Sequence, residues 1–338
     1  MNNLTWYTIG VIVLYFLLLL LISRLAAKGD NDNATFFLGN RKSPWFLVAF
    51  GMIGTTLSGV TFISVPGEVV NKGFAYFQMV LGYILGYGVI ALILLPNYYK
   101  KQLTSIYQFL DERLGTVAYK FGAFYFLLSR SIGAAFRLYL IALVFHVFIF
   151  SPLNIPFWLA VAITLALIWV YTFQSGIKTI VYTDSFQTFF LITAMIASVI
   201  FILNDLDLSL SEAASAVNEA GLGKTFFWDW TKGNYFWKQF ISGAFIAIVM
   251  TGLDQDMMQK NLSCRNLKDA QKNMFTFTGI LVVVKFIFLF MGALLALYAM
   301  NKGLTIPEQS DKLYPTLAFE YFPVGIALLF VTGLTAAA

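Results

Sequence analysis

The sequence predicts an all-α integral membrane protein, built as a single bundle of transmembrane helices. Composition is the first observation: 59% of the 338 residues are hydrophobic and 12% are charged, whereas a soluble domain carries about 25% charged residues. The second is a mean hydropathy of +0.77. The third is a set of apolar runs, such as VIVLYFLLLLLI (11–22) and ILVVVKFIFLFMGALLALYAM (280–300), each long enough as a helix to cross ~30 Å of hydrocarbon. This balance excludes soluble enzymes, nucleic-acid binders and secreted disulfide scaffolds. The formal charge of +5 carries no argument for a nucleic-acid partner, because basic residues of a membrane protein sort by side. Cys264 and His146 are the one cysteine and one histidine of the chain, so neither an intrachain disulfide nor a zinc site of these residues can form.

Nine apolar segments follow in order, at about 4–22, 45–70, 74–96, 121–150, 157–173, 179–203, 236–252, 275–300 and 323–338. The first is a leading helix and the others are core helices one to eight. No Lys or Arg precedes the leading helix, while Arg24 and Lys28 follow it. That flank pattern argues against a signal peptide and places the N-terminus outside. Alternating the sides then puts thirteen basic residues in inner loops, six in outer loops, and three (Arg130, Arg137 and Lys285) within spans. The inward bias supports the segments and the orientation together.

Helix one is the most irregular span. Gly51, Gly54, Thr55, Thr56, Ser58, Gly59 and Thr61 crowd eleven positions before Pro66-Gly67. Small and hydroxylated residues allow close helix packing, but so many together also fit a helix interrupted at mid-membrane. Such a break frees carbonyl oxygens that can replace the hydration shell of Na⁺. Gln78 on helix two can face a cavity, and Glu68 belongs near the outer interface. Arg130 and Arg137 lie seven residues apart on one face of helix three; Arg130 can snorkel, while Arg137 needs a carboxylate or an anionic ligand. Asp184, a few residues inside helix five, is a functional candidate as an intramembrane carboxylate or an interfacial partner of Lys178. The 204–235 stretch is a long outer loop in which SLSEAASAVNEAG (209–221) reads as a short capped amphipathic helix. Lys285 is flanked by VVV and FIF, so nothing adjacent neutralises it. Residues 323–338 span about 24 Å at 1.5 Å per residue, short of a crossing, which leads to the expectation that the chain is a fragment of a longer protein.

GTTLSGVTFISVPG (54–67), SGIKTIVYTDSFQ (175–187) and GLDQDMMQKNLSCRNLKDAQKN (252–273), in this order, resemble the solute:sodium symporters, which include sodium/glucose cotransporters and bacterial sialic acid transporters. The resemblance runs along the whole chain. It implies a LeuT-like inverted-repeat bundle with an extra N-terminal helix, the first and sixth core helices broken. Residues 1–338 then form one transporter domain, with the leading helix at 4–22, a first repeat at about 45–203 and a partial second repeat at about 236–338. It further implies a multi-pass protein of the cell (inner) membrane that couples Na⁺ to a small polar solute rather than an enzyme.

For the sites, the resemblance implies sodium contacts from Gly54, Leu57 and Ala338 carbonyls and from Asp184. It matches Thr56, Ser58 and Thr61 to positions that hold a ligand carboxylate, and Lys285 to a lysine near the sugar in some relatives; Gln78, Arg130 and Arg137 complete the candidate substrate set. The arginine that sialic acid transporters use aligns near Gly133, one turn from both candidates. Thr56 and Met250 stand where the sugar-transporter pattern has Asn and a gating Tyr. Sialic acid or another acidic sugar is therefore the expected solute. A neutral sugar, or a symporter-like sensory input domain, is the alternative.

Overall fold

A computed structural model describes residues 3–26, 41–103, 105–172 and 177–336 of the chain. The described residues are helical throughout, apart from loops and one isolated backbone bridge between Ser43 and Cys264. The leading helix α1 covers Asn3–Ala26. Helix one divides into α2 (Trp45–Thr56) and α3 (Gly59–Lys72), whose axes bend by 57°. Next come α4 (Ala75–Lys100), the short α5 (Tyr107–Leu114), α6 (Thr116–Phe145), α7 (Phe157–Thr172) and α8 (Ile177–Asp205). Beyond them lie α9 (Leu210–Glu219), α10 (Phe236–Gly252) and α11 (Gln255–Leu262). The last described elements are α12 (Leu267–Asn301), α13 (Leu313–Glu320) and α14 (Val324–Ala336).

Five of these helices are individually long and apolar enough to cross a membrane, and two bent pairs, α2 with α3 and α10 with α11, raise the number to seven. The apolar α7 and α14 are shorter. Polar stretches lengthen several elements beyond their apolar cores. α12 starts at Leu267 rather than near 275, because Asn266 caps it by accepting the Asp269 amide at 2.9 Å and the LKDAQKN segment continues the same helical turn. α11 is missed by hydropathy altogether, since QDMMQKNL is polar. The chain bends by 67° ahead of it, and Asp254 caps its start through the Met257 amide at 3.1 Å.

Glycines set the closest helix contacts. A Cβ on Gly82 or Gly86 of α4 would overlap the Phe240 or Ala244 carbonyl of α10, and one on Gly243 of α10 would overlap the Met79 carbonyl of α4. The two backbones therefore touch along a small-residue seam, the geometry by which membrane helices gain dispersion contact without a hydrophobic driving force. Gly292 of α12 meets the Pro66 carbonyl of α3 in the same way, and Gly67 of α3 meets the backbone of Ser310 in the connection after α12.

At one end of the bundle, α9 carries the anticipated cap. Ser209 accepts the Glu212 amide while Glu212 accepts the Ser209 amide at 2.8 Å, satisfying two otherwise orphaned donors. The Ser209 hydroxyl, donating to Glu212 Oε2 at 2.6 Å, and the Ser209 amide together hold the Glu212 carboxyl below its ordinary pKa. Gly221, just past the helix, takes a positive φ of 72°, a conformation glycine adopts without steric cost. Lys302 and Asp205 pair at 2.8 Å across the same end.

Candidate functional site

The break between α2 and α3 is local and sharp. Leu57 leaves the helix at φ −88°, ψ 75°, and Ser58 is extended at φ −72°, ψ 168°. Carbonyls just before such an interruption give up the amide partners a continuous helix supplies. Both readings of the small-residue cluster meet here. Gly51 and Gly54 bring α2 onto α8: a Cβ on Gly54 would overlap the Thr188 hydroxyl, and one on Gly51 would stand 3.3 Å from the Asp184 Cβ. Two α8 hydroxyls that sequence reading did not single out stitch this contact. Ser185 donates to the Leu47 carbonyl at 3.1 Å, and Thr188 donates to the Phe50 carbonyl at 3.0 Å. Their serine and threonine identity was the available signal; their register against α2 was not.

Asp184 therefore lies against the Gly51–Gly54 face of α2. Its Oδ2 accepts the Thr55 hydroxyl at 3.0 Å and the Lys260 ammonium at 2.7 Å. Lys260 also donates to Thr55 Oγ1 at 2.7 Å. Sequence reasoning counted Lys260 as an inner-loop cation, yet its side chain is 3% exposed, because the polar α11 folds back under the bundle. The alternative partner of Asp184, Lys178, has a side chain outside the described set. Ala338 likewise falls outside the described residues.

Next to the break is a cavity of about 160 Å³. Thr55, Thr56 and Thr61 line it from the broken span, and Tyr76, Tyr83 and Tyr87 from α4. Arg130 and Arg137 enter from α6, Lys285 from α12, and Met250, Thr251 and Met257 from the second broken span. Thr61 receives the Lys285 ammonium at 3.3 Å, and that ammonium also stands 5.4 Å from the centre of the Tyr76 ring. Tyr76 and Tyr83 share a hydroxyl hydrogen bond of 3.1 Å.

The two arginines differ. Arg130 is held by Asp254, its Nε donating to Oδ2 at 2.8 Å and its terminal nitrogen reinforcing the pair. Neither Arg137 nor Lys285 is paired with a carboxylate among the described residues. Ser58 sits at the break without lining the cavity.

Gln78 departs from its expected place. It is fully buried and spends its amide on backbone: it donates to the Ala75 carbonyl at 3.2 Å and the Asn234 carbonyl at 2.9 Å, and accepts the Phe227 amide at 3.1 Å. The 224–236 loop is thereby pinned to α4, and no cavity contact is left to Gln78. Glu68 pairs with Lys72 at 3.0 Å on an exposed face. His146 packs edge-on against Phe157 with 5.5 Å between ring centres. Cys264 is buried in the turn after α11, which pushes its thiol pKa up to about 12.

The chain is 27% identical to the sodium/sialic acid symporter NanT of Aliivibrio fischeri over 92% of its own length and 62% of the relative's. It is 24% identical to the sodium/sialic acid symporter SiaT of Proteus mirabilis, covering 96% of this chain and 65% of that one. The chain thus spans under two thirds of the length of these curated relatives. The human sodium/iodide cotransporter is 24% identical over 76% of this chain and 40% of its own. Among solved structures, a Na⁺-coupled sialic acid symporter in a substrate-bound outward-open state superposes with a TM-score of 0.87 at 22% identity, covering 99% of this chain and 71% of that one. The fold is therefore LeuT-like, as the sequence motifs implied. The profile of the Sodium:solute symporter family matches residues 36–338, and the chain belongs to that family.

Proposed function

We propose that this chain carries the binding centre of a Na⁺-coupled symporter that imports a small, hydroxyl-rich organic anion, with sialic acid or another acidic sugar as the solute. The observation that carries the reading is the cavity beside the α2–α3 break. It gathers seven hydroxyls and three cationic side chains with no carboxylate in its lining. Asp254 satisfies Arg130, leaving Arg137 and Lys285 without a counter-charge at the cavity wall. Burying an unpaired cation costs free energy that an anionic ligand recovers. A neutral sugar would use the hydroxyls and leave both charges uncompensated. The similarity to two sialic acid symporters points to the same solute class.

On this reading Thr56 and Thr61 contact the solute with Arg137 and Lys285, and Ser58 joins them when the break rearranges. Na⁺ takes oxygens at the other side of the break, from the Gly54 and Leu57 carbonyls and Asp184, in the manner of an interrupted membrane helix. The protein lies in the cell (inner) membrane with its N-terminus outside, following the basic-residue bias.

Uptake of labelled sialic acid by the whole protein in proteoliposomes, with and without an inward Na⁺ gradient, tests the function. Uptake is expected only with the gradient. Unlabelled acidic sugars should compete, while their methyl esters, glucose and galactose should not. Competition by glucose or galactose equal to that of the free acids overturns the anion assignment. Cysteines introduced at Asn3 and Asn266 test the orientation, and labelling of position 3 only from the cytoplasm rejects it.

A further inference from the structure

We infer that Lys260 is a tethered counter-cation of Asp184, which Na⁺ must displace onto Asp256, and that this exchange releases α11 from α2 and α8. The inference rests on the reading of Asp184 as a sodium contact and adds a residue, and a coupled movement, to it.

Three elements meet at one ammonium. Lys260 Nζ on α11 stands 2.7 Å from Asp184 Oδ2 on α8 and 2.7 Å from Thr55 Oγ1 on α2. Asp256, one turn earlier on α11, presents Oδ1 at 4.0 Å. Thr55 also donates to Asp184 Oδ2 at 3.0 Å, so a cation placed at Asp184 would find the same two oxygens that now hold the lysine. A carboxylate this deep in the bundle stays ionised only with a positive charge beside it. Lys260 supplies it here.

The charge count of the cluster explains why exchange is feasible. Asp184 and Asp256 carry two negative charges against the single positive charge of Lys260, and Asp254 nearby is already neutralised by Arg130. A net charge of −1 leaves room for one further monovalent cation. When Na⁺ takes Asp184, the ammonium needs a partner within reach of its flexible stem, and Asp256 provides one with its side chain 43% exposed toward water. Movement of Lys260 toward Asp256 breaks both hydrogen bonds that tie its ammonium to Asp184 and Thr55. Sodium occupancy and the position of α11 then become one equilibrium.

The magnitude follows from competition. If the Lys260–Asp184 pair is populated about ten to one over its released form, apparent Na⁺ affinity is reduced by about that same factor. Equilibrium binding of ²²Na⁺ to the purified chain in detergent is the measurement, with maleimide labelling of the buried native Cys264, in the turn after α11, as the report of α11 release. Lys260→Gln is expected to tighten Na⁺ binding by about tenfold and to label at Cys264 without Na⁺. In the unaltered chain Na⁺ should accelerate labelling. Lys260→Arg, which keeps a tethered cation, should not tighten binding. Asp256→Asn removes the receiving carboxylate and should weaken Na⁺ binding severalfold, which keeps the proposal testable should Lys260→Gln fail to fold. Unchanged or weaker binding in a folded Lys260→Gln, unchanged binding in Asp256→Asn, or Cys264 labelling indifferent to Na⁺ overturns the exchange. Asp184→Asn separates the two readings: Na⁺ binding that survives it intact refutes Asp184 as a sodium contact, whereas its loss with an unaltered Lys260→Gln refutes the exchange alone.

Discussion

The bend between α10 and α11 hangs on Asp254, and its removal has a calculable cost. One carboxylate does two jobs there: Oδ1 caps α11 through the Met257 amide at 3.1 Å, and Oδ2 holds Arg130 of α6. Its side chain is 9% exposed and that of Arg130 is 29% exposed. Breaking a fully buried ion pair by removing one partner costs about 3–5 kcal/mol. The exposure of Arg130 and its freedom to snorkel reduce this to about 2 kcal/mol. Loss of the cap adds about 1 kcal/mol. Asp254→Asn keeps a cap acceptor and loses the charge, so it should destabilise by about 2 kcal/mol, whereas Asp254→Ala loses both and should reach about 3 kcal/mol. Arg130→Met leaves the cap and strands the carboxylate, matching Asp254→Asn. Combining Arg130→Met with Asp254→Asn should cost less than the sum of the two, with a coupling of about 1–2 kcal/mol. Reversible unfolding in mixed detergent micelles measures all four variants. Equal stability of Asp254→Asn and Asp254→Ala, or strict additivity in the double variant, would refute the dual role.

The glycine seam gives a second expectation: Gly82→Ala places a methyl against the Phe240 carbonyl and should cost about 1–3 kcal/mol, while Gly88→Ala on the same helix, where a Cβ meets nothing within 4 Å, should be neutral or stabilising. Thermal unfolding in detergent distinguishes the pair, and equal effects would remove the seam as the cause. Gln78→Ala leaves the Phe227 amide and the Asn234 carbonyl without their partner, at about 1–3 kcal/mol for each group that stays buried. Limited proteolysis should then cut within residues 224–236 more rapidly, whereas weakened solute binding with an intact loop would return Gln78 to the solute site.

Periodicity and composition determined the helical membrane class, because hydrocarbon demands long apolar helices with internally satisfied backbone, and the segment positions follow from that demand alone. The same was true of the Ser209 cap, whose chemistry is local, and of the broken helix, signalled by Gly51, Gly54, Gly59 and their hydroxylated neighbours. Partnerships across the bundle were not legible. Nothing adjacent to Arg130 names Asp254, 124 residues away, as its counter-charge, and nothing near Asp184 names Lys260, 76 residues away. Gln78 has the chemistry of a ligand contact, yet the fold delivers three backbone groups to it before any solute can. α11 was hidden from hydropathy because its residues are polar and its burial comes from the bend above it, although the family resemblance implied a broken sixth core helix. A sequence fixes which groups need partners, since desolvation cost belongs to the side chain; only the tertiary structure decides which partner arrives, since that depends on how helices distant in the chain are brought face to face.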